Sequence, residues 1–195
     1  TGCESARQQV TATVTAAALD ASIAIVTPTN PANTGNNTVS VNITNNSASA
    51  PVTSINLSYS DGTITTTQNF TGLNIAAGAT QLLTFTAPYV AAGNFSFFAQ
   101  INTVNGSIDA SQANDVTPTI NYCVGLSGTY TINSANPTAG SNFNNLTDVA
   151  IALNCGVAGP VTFNMQSSFT EQVTIAAING VSAVNTITFN GNGNS

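Results

Sequence analysis

The chemistry available to this chain rests on very few side chains. Seven acids, one arginine, no lysine and no histidine stand among 195 residues. A nucleophilic Ser, Cys or Thr needs a base beside it, so Ser/His/Asp, Cys/His and Ser/Lys arrangements are excluded outright. Paired carboxylates remain. Asp109 with Asp115 and Asp148 with Glu171 are the pairs that could flank a glycosidic bond. The stretch DASQAND offers a second chemistry, because Asp109, Asn114 and Asp115 carry the carboxylate and amide oxygens that calcium takes. Opposed to both is ordinary turn structure, in which Asp and Asn accept from nearby backbone. The expectation is turn structure here, with no catalytic residue, no cofactor, and calcium as the alternative.

Sulfur and aromatic rings are the other candidates. Cys3, Cys123 and Cys155 form no CxxC pair, and without His a zinc site lacks its usual ligands. Cys123 and Cys155 lie in a region of coherent character and are expected to pair in an oxidising compartment, which leaves Cys3 over; three buried free thiols are the alternative. There is no Trp for sugar stacking, and most of the Phe and Tyr residues fall in strand register as core. Tyr59, Tyr89 and Phe98 are the rings whose exposure decides whether a stacking platform exists.

Charged residues make up 4% of the chain, so its surface must be hydrated by neutral polar groups, and 27 Asn, 30 Thr and 18 Ser supply them. A formal charge of -6 with a single cation excludes phosphate neutralisation, and with it nucleic acid as a partner. No apolar run approaches the roughly 18 to 20 residues that span a bilayer. No basic segment precedes an apolar one as in a signal peptide, so a mature or excised segment is expected, without membrane insertion. Abundant Thr, Val and Asn with sparse Lys, Glu and Leu point to strands joined by Asn/Gly turns.

Between residues 21 and 121 apolar residues recur at period two in seven runs, 22–27, 38–44, 53–60, 63–71, 79–86, 94–103 and 115–121. Asp61-Gly62 and Asn105-Gly106 are predicted two-residue hairpin turns, and Ala77-Gly78 and Ala92-Gly93 mark two more. Seven strands in about a hundred residues is the pattern of an immunoglobulin-like antiparallel sandwich. The strand VNITNNS, the hairpin LNIAAGAT, the pair AAGNFSFFAQI and the closing ASQAND resemble the bacterial cell-adhesion-related domain with an immunoglobulin-like fold, found in tandem in large surface proteins. The resemblance covers about 20–121 and implies a spacer or adhesive module without catalytic residues.

After Cys123 the character changes. A helix is expected over 145–154, with Leu146, Val149, Ala150 and Leu153 on one face, Asn144 or Asn145 as its cap and Cys155-Gly156 at its end. Short β-runs follow at 161–163, 173–175 and 187–189, suggesting coils of a parallel β-helix. GTYTI, the helix and GPVTFNMQSSFTEQVTIAAINGVSAVNTITFNGNG resemble the N-terminal cap and first coils of pectate-lyase-like right-handed β-helices in large secreted Bacteroidetes-type proteins. β-Helix lyases use carboxylate-bound calcium and a basic residue in a groove, yet no Arg or Lys follows Arg7. The coils present are therefore not expected to be an active lyase.

The opening TGCESARQQVTATVT resembles the closing strand of another immunoglobulin-like module of such surface proteins, whose Cys pairs near that module's beginning. That resemblance makes Cys3 unpaired or paired upstream, with Val10, Ala12 and Val14 as an apolar face. The expected organisation is 1–18 as the final strand of an upstream module, 19–121 as the sandwich, and 122–195 as the cap and first coils of a truncated β-helix. The function expected is that of a non-enzymatic spacer or stalk in an extracellular or bacterial cell-surface protein. Its expected partners are neighbouring domains of the same chain, surface glycans or further copies of itself, and the type IX export machinery that the resemblance implies. A carbohydrate-active or carbohydrate-binding β-helix protein and a fibre subunit built by strand addition are the alternatives.

Overall fold

The computed structural model describes residues 18–191. Its first half contains β1 (Ala21–Thr27), β2 (Gly35–Asn37), β3 (Ser40–Asn45), β4 (Val52–Ser60), β5 (Thr65–Ile75), β6 (Thr80–Thr84), β7 (Tyr89–Ala91), β8 (Phe95–Val104) and β9 (Ile120–Tyr122). Its second half contains β10 (Leu126–Ile132), β11 (Asn142–Phe143), helix α1 (Leu146–Leu153), β12 (Val157–Met165) and β13 (Ile187–Asn190). The expected strand over 1–18 lies, but for Ala18, outside the described residues, and Cys3 with it.

The first half is an immunoglobulin-like sandwich of two antiparallel sheets, ordered β1-β3-β6 and β5-β4-β8-β9, with β2 and β7 paired as a short ribbon. Alternation dictates the core. Val41 and Ile43 on β3 are buried while Asn42 and Thr44 between them are partly exposed; Ile55, Leu57 and Tyr59 on β4 meet Phe97, Ala99 and Ile101 on β8. Burial of each such Ile, Leu or Phe stabilises the fold by about 1.5 to 3 kcal/mol before ordering costs. The rings of Tyr59 and Phe97 lie 5.3 Å apart, and Tyr59 meets Phe85 edge-on at 4.9 Å.

Several expected boundaries move, each for a local reason. The run 38–44 becomes a strand only from Ser40, with the short β2 separate ahead of it, because the Asn37 side chain accepts from Asn33 N and donates to the Asn33 and Gly35 carbonyls, which fixes a loop before β3. The expected strand over 115–121 is regular only from Ile120. Ahead of it Pro118 has no N–H to give a ladder, and the chain docks on β8 through single contacts: Ile101 N to Asp115 O, Thr117 N to Ala99 O, and Ala99 N to the Thr117 hydroxyl.

Turn chemistry divides in the same way. Asn105 and Gly106 both have positive φ, 48° and 77°, and Val104 and Ser107 exchange both backbone hydrogen bonds across them, as a type I′ turn requires. At Asp61-Gly62 only the glycine is left-handed, which corrects the two-residue turn expected there. The Asp61 carboxylate accepts from Thr63 N and Ile64 N instead and closes a longer connection. Ala77-Gly78 and Ala92-Gly93 join strands of different sheets, so neither is a hairpin turn.

The second half is a parallel sheet ordered β11-β10-β12-β13. Its register stacks like on like: Thr129, Thr162 and Thr188 align, as do Tyr130, Phe163 and Phe189. Phe163 is stacked on Phe189 with centroids 5.0 Å apart, and Asn190 donates to Asn164 beside them. The 173–175 run forms no strand, correcting the expected coil spacing. It lies beside Thr147, Ala150 and Ile151 of α1 instead of in the sheet. α1 itself starts at its Asn145 cap, which accepts from Asp148 N at 2.8 Å, and closes with Gly156 N on Leu153 O. Val149 and Leu153 bury its inner face with Ile132, Phe143, Val157, Val161 and Phe163. Among the described residues no helix is long and apolar enough to cross a membrane.

Candidate functional site

The candidate acids are separated by the fold into two groups. Asp148 and Glu171 both serve the first turn of α1: Thr138 donates its hydroxyl to Asp148 Oδ2, and Thr147 donates N–H and hydroxyl to Glu171 Oε2 at 3.1 Å. Acidic oxygens suit the positive end of a helix. Each carboxylate is thereby committed to organising the cap.

Asp109 and Asp115 do come together, at one end of the sandwich. Asp109 is only 4% exposed, and its carboxylate receives Ala21 N at 2.7 Å and Ser111 N at 2.8 Å. The first bond ties the start of β1 to the loop after β8, the second closes that loop on itself, and Ala110 N on Leu19 O adds another tie to β1's approach. Asp115 is 7% exposed; burial, then the charges of Asp109 and Asp20, push its carboxyl up to about 6. A third acid is therefore present that the sequence did not single out. Asp20 Oδ1 accepts from Asn114 Nδ2 at 2.9 Å across 94 residues of chain, a separation over which no sequence pattern operates. Two acceptors in this corner, Asn114 Oδ1 and Asp115 Oδ1, are buried and have no hydrogen-bond partner.

Aromatic platforms are scarcer than the sequence allowed. Tyr59 is buried and donates its hydroxyl to Ala87 O, and Tyr89 is buried with its hydroxyl on Asp61 Oδ2 at 2.9 Å. Burial, with the Asp61 charge and hydrogen bond, pushes the Tyr89 phenol up to about 12, while backbone donation from Ile64 chiefly holds Asp61 below the usual carboxylate range. Phe98 alone of the three keeps a partly open ring, on the outer face of β8. That face is uncharged and pre-organised: Asn102 donates to Asn56 at 2.7 Å, Gln100 donates to Asn102 at 2.9 Å, and Asn56 donates to Asn69. A hollow of about 170 Å³ lies beside it, lined by Asn56, Asn69, Thr71 and Thr103 among others.

The two halves meet at a covalent junction. Cys123 and Cys155 are joined by a disulfide with Cα atoms 5.4 Å apart. Around it Ala32 N donates to Cys123 O and Gly125 N returns to Ala32 O, so the loop after β1 is stitched to the strand leading into β10. The backbones approach so closely that side chains are excluded. A Cβ on Gly125 would sit 2.8 Å from both Ala158 N and Pro31 Cβ, and one on Gly180 would collide with Val157 O. Asn94 completes the contact by accepting from Val124 N at 2.8 Å.

Among the described residues no group of three or more carboxylate, thiolate or imidazole side chains is placed to hold a metal ion. No family model matches the chain, and no curated protein matches it either. Among solved structures, the chain is similar to the solution NMR structure of the CARDB domain of a protein from Pyrococcus furiosus. Identity there is 17%, over 55% of this chain and 96% of that domain, with a TM-score of 0.41. It is also similar to the crystal structure of that Pyrococcus furiosus CARDB domain in complex with di-metal ions, at 14% identity over 62% of this chain and 99% of that one, with a TM-score of 0.39.

Proposed function

We propose that this chain is a structural and adhesive segment of a modular extracellular, cell-surface protein, working as a spacer between its neighbouring domains. The observation that carries the reading is the junction. A sandwich and a parallel sheet joined by a disulfide, returned backbone hydrogen bonds and side-chain-free glycine contacts hold one mutual orientation, which is what a spacer must supply. A disulfide also suits an oxidising compartment, and a surface hydrated by amides and hydroxyls suits exposure outside a cell. The reading involves no catalytic step. Residual dipolar couplings test it: both halves should share one alignment tensor, and two separate tensors would overturn the spacer.

A second reading, carbohydrate binding, is favoured by the uncharged amide face of β4, β5 and β8. Asn and Gln side chains in fixed orientation match sugar hydroxyls, and Phe98 offers a ring to a sugar C–H face. Saturable binding of this chain on a glycan array, abolished by Phe98→Ala and Asn102→Ala, would replace the spacer reading with a ligand-binding one. Retention of the signal by both variants would exclude this face.

A further inference from the structure

We propose that the corner of Asp109, Asn114 and Asp115 is a calcium site that clamps the start of β1 to the loop preceding β9. The argument begins from what is missing a donor. Buried polar atoms almost always find a hydrogen-bond partner, yet Asn114 Oδ1 and Asp115 Oδ1, adjacent in sequence, are both buried without one. An amide flip does not remove the problem for Asn114, because Asp20 Oδ1 takes its Nδ2 at 2.9 Å and a carboxylate accepts only from a donor. Asp20 thus acts as a positioning residue that leaves the Asn114 oxygen as the available atom.

Charge points the same way. The charges of Asp109 and Asp20 both bear on Asp115, and residues 18–191 contain no Lys, Arg or His to balance them. Protein donors satisfy only part of the set: Asp109 accepts from two backbone N–H groups, whereas the buried Asp115 Oδ1 accepts from none. A concentration of hard, donor-poor oxygens is what a hard cation prefers. Calcium takes carboxylate and amide oxygens and fills its remaining positions with water. Two carboxylates and one amide oxygen make a site of the weaker kind, filled at the millimolar calcium found outside cells. Its structural effect would be local, because Asp109 already reaches Ala21 N and the cation would join Asp115 and Asn114 to the same anchor.

The competing account is a proton shared by Asp109 and Asp115. Thermal unfolding of the whole chain at pH 5 and pH 8, in chelator, in calcium and in magnesium, separates the two. A calcium site predicts that calcium raises Tm at pH 8, by about 5 to 10 °C at a hundredfold excess over Kd. The rise should be smaller at pH 5, where protons compete, and smaller with magnesium. Asp115→Asn should stay folded, with a chelator Tm at or above the wild type at pH 8, and lose the calcium response. A wild-type Tm that is unmoved by calcium at pH 8 overturns the site in favour of the shared proton. An undiminished calcium response in Asp115→Asn overturns it too, by placing the ion elsewhere.

Discussion

The two halves of this molecule solve the burial of a β-sheet in different ways. In the sandwich, two antiparallel sheets face each other, so every inward residue finds a partner on the opposite sheet and twenty apolar residues are buried. The parallel sheet has a single inner face, covered by α1 and the segments around it, and buries seven. Specificity is accordingly supplied by different means. Turns and inward alternation set the sandwich register, whereas ladders of identical or similar side chains set it in the parallel half, Thr on Thr and ring on ring. The parallel half has the smaller core and is held to the sandwich through the junction.

The sharpest way to break this contrast is a matched pair of core deletions. Phe97→Ala should destabilise the sandwich by about 3 to 5 kcal/mol, since the rings of Tyr59, Tyr89, Phe95 and Tyr122 surround the cavity it would leave. Phe163→Ala should fall at the low end, about 3 kcal/mol, because Phe189 beside it is 42% exposed and free to fold inward. Urea unfolding followed separately in each half reads both. Equal losses would mean that the two cores are equally rigid.

Reduction of Cys123–Cys155 comes next, with an expected loss of about 2 to 4 kcal/mol. Hydrogen exchange should show that loss concentrated in 126–190. A uniform loss would make the halves one cooperative unit.

Protonation acts on the sandwich end alone. The folded carboxyl of Asp115, at about 6, stands above its unfolded value of about 3.9, so folding takes up a proton between them. Stability in chelator is therefore greatest below about pH 4 from this group, falls as pH rises towards about 6 and is level above, a change of about 3 kcal/mol. Asp115→Asn should flatten that slope while leaving the exchange of 126–190 unchanged. The smallest effect expected is Asn145→Ala, about 1 kcal/mol from loss of the α1 cap, confined to the parallel half and measurable by the midpoint of its unfolding.

Much of this architecture is legible in the residues. Alternation at Val41 and Ile43, the Asn105-Gly106 turn and the Asn145 cap are local properties, each decided within a few residues by side-chain direction, backbone sterics or one hydrogen bond. Where a side chain overrode the pattern, legibility failed. Pro118 halted the ladder that alternation extended through 115–121, and Asp61 closed a longer turn than its Gly62 suggested. The run 173–175 reads as a strand in composition but packs beside α1 and forms none. Of the candidate site, Asp109, Asn114 and Asp115 were visible as an oxygen-rich stretch, and Asp20 was not.

Local sequence thus determined the abundance of strand, the poverty of charge and the faces that turn inward. Only the tertiary structure decided which distant groups meet: Asp20 with Asn114, Pro31 with Gly125, and Phe163 with Phe189. The reason is physical. Periodicity and turn chemistry act over a few residues, whereas a charge cluster or a glycine contact is set by how whole sheets pack, and no spacing in the chain encodes that.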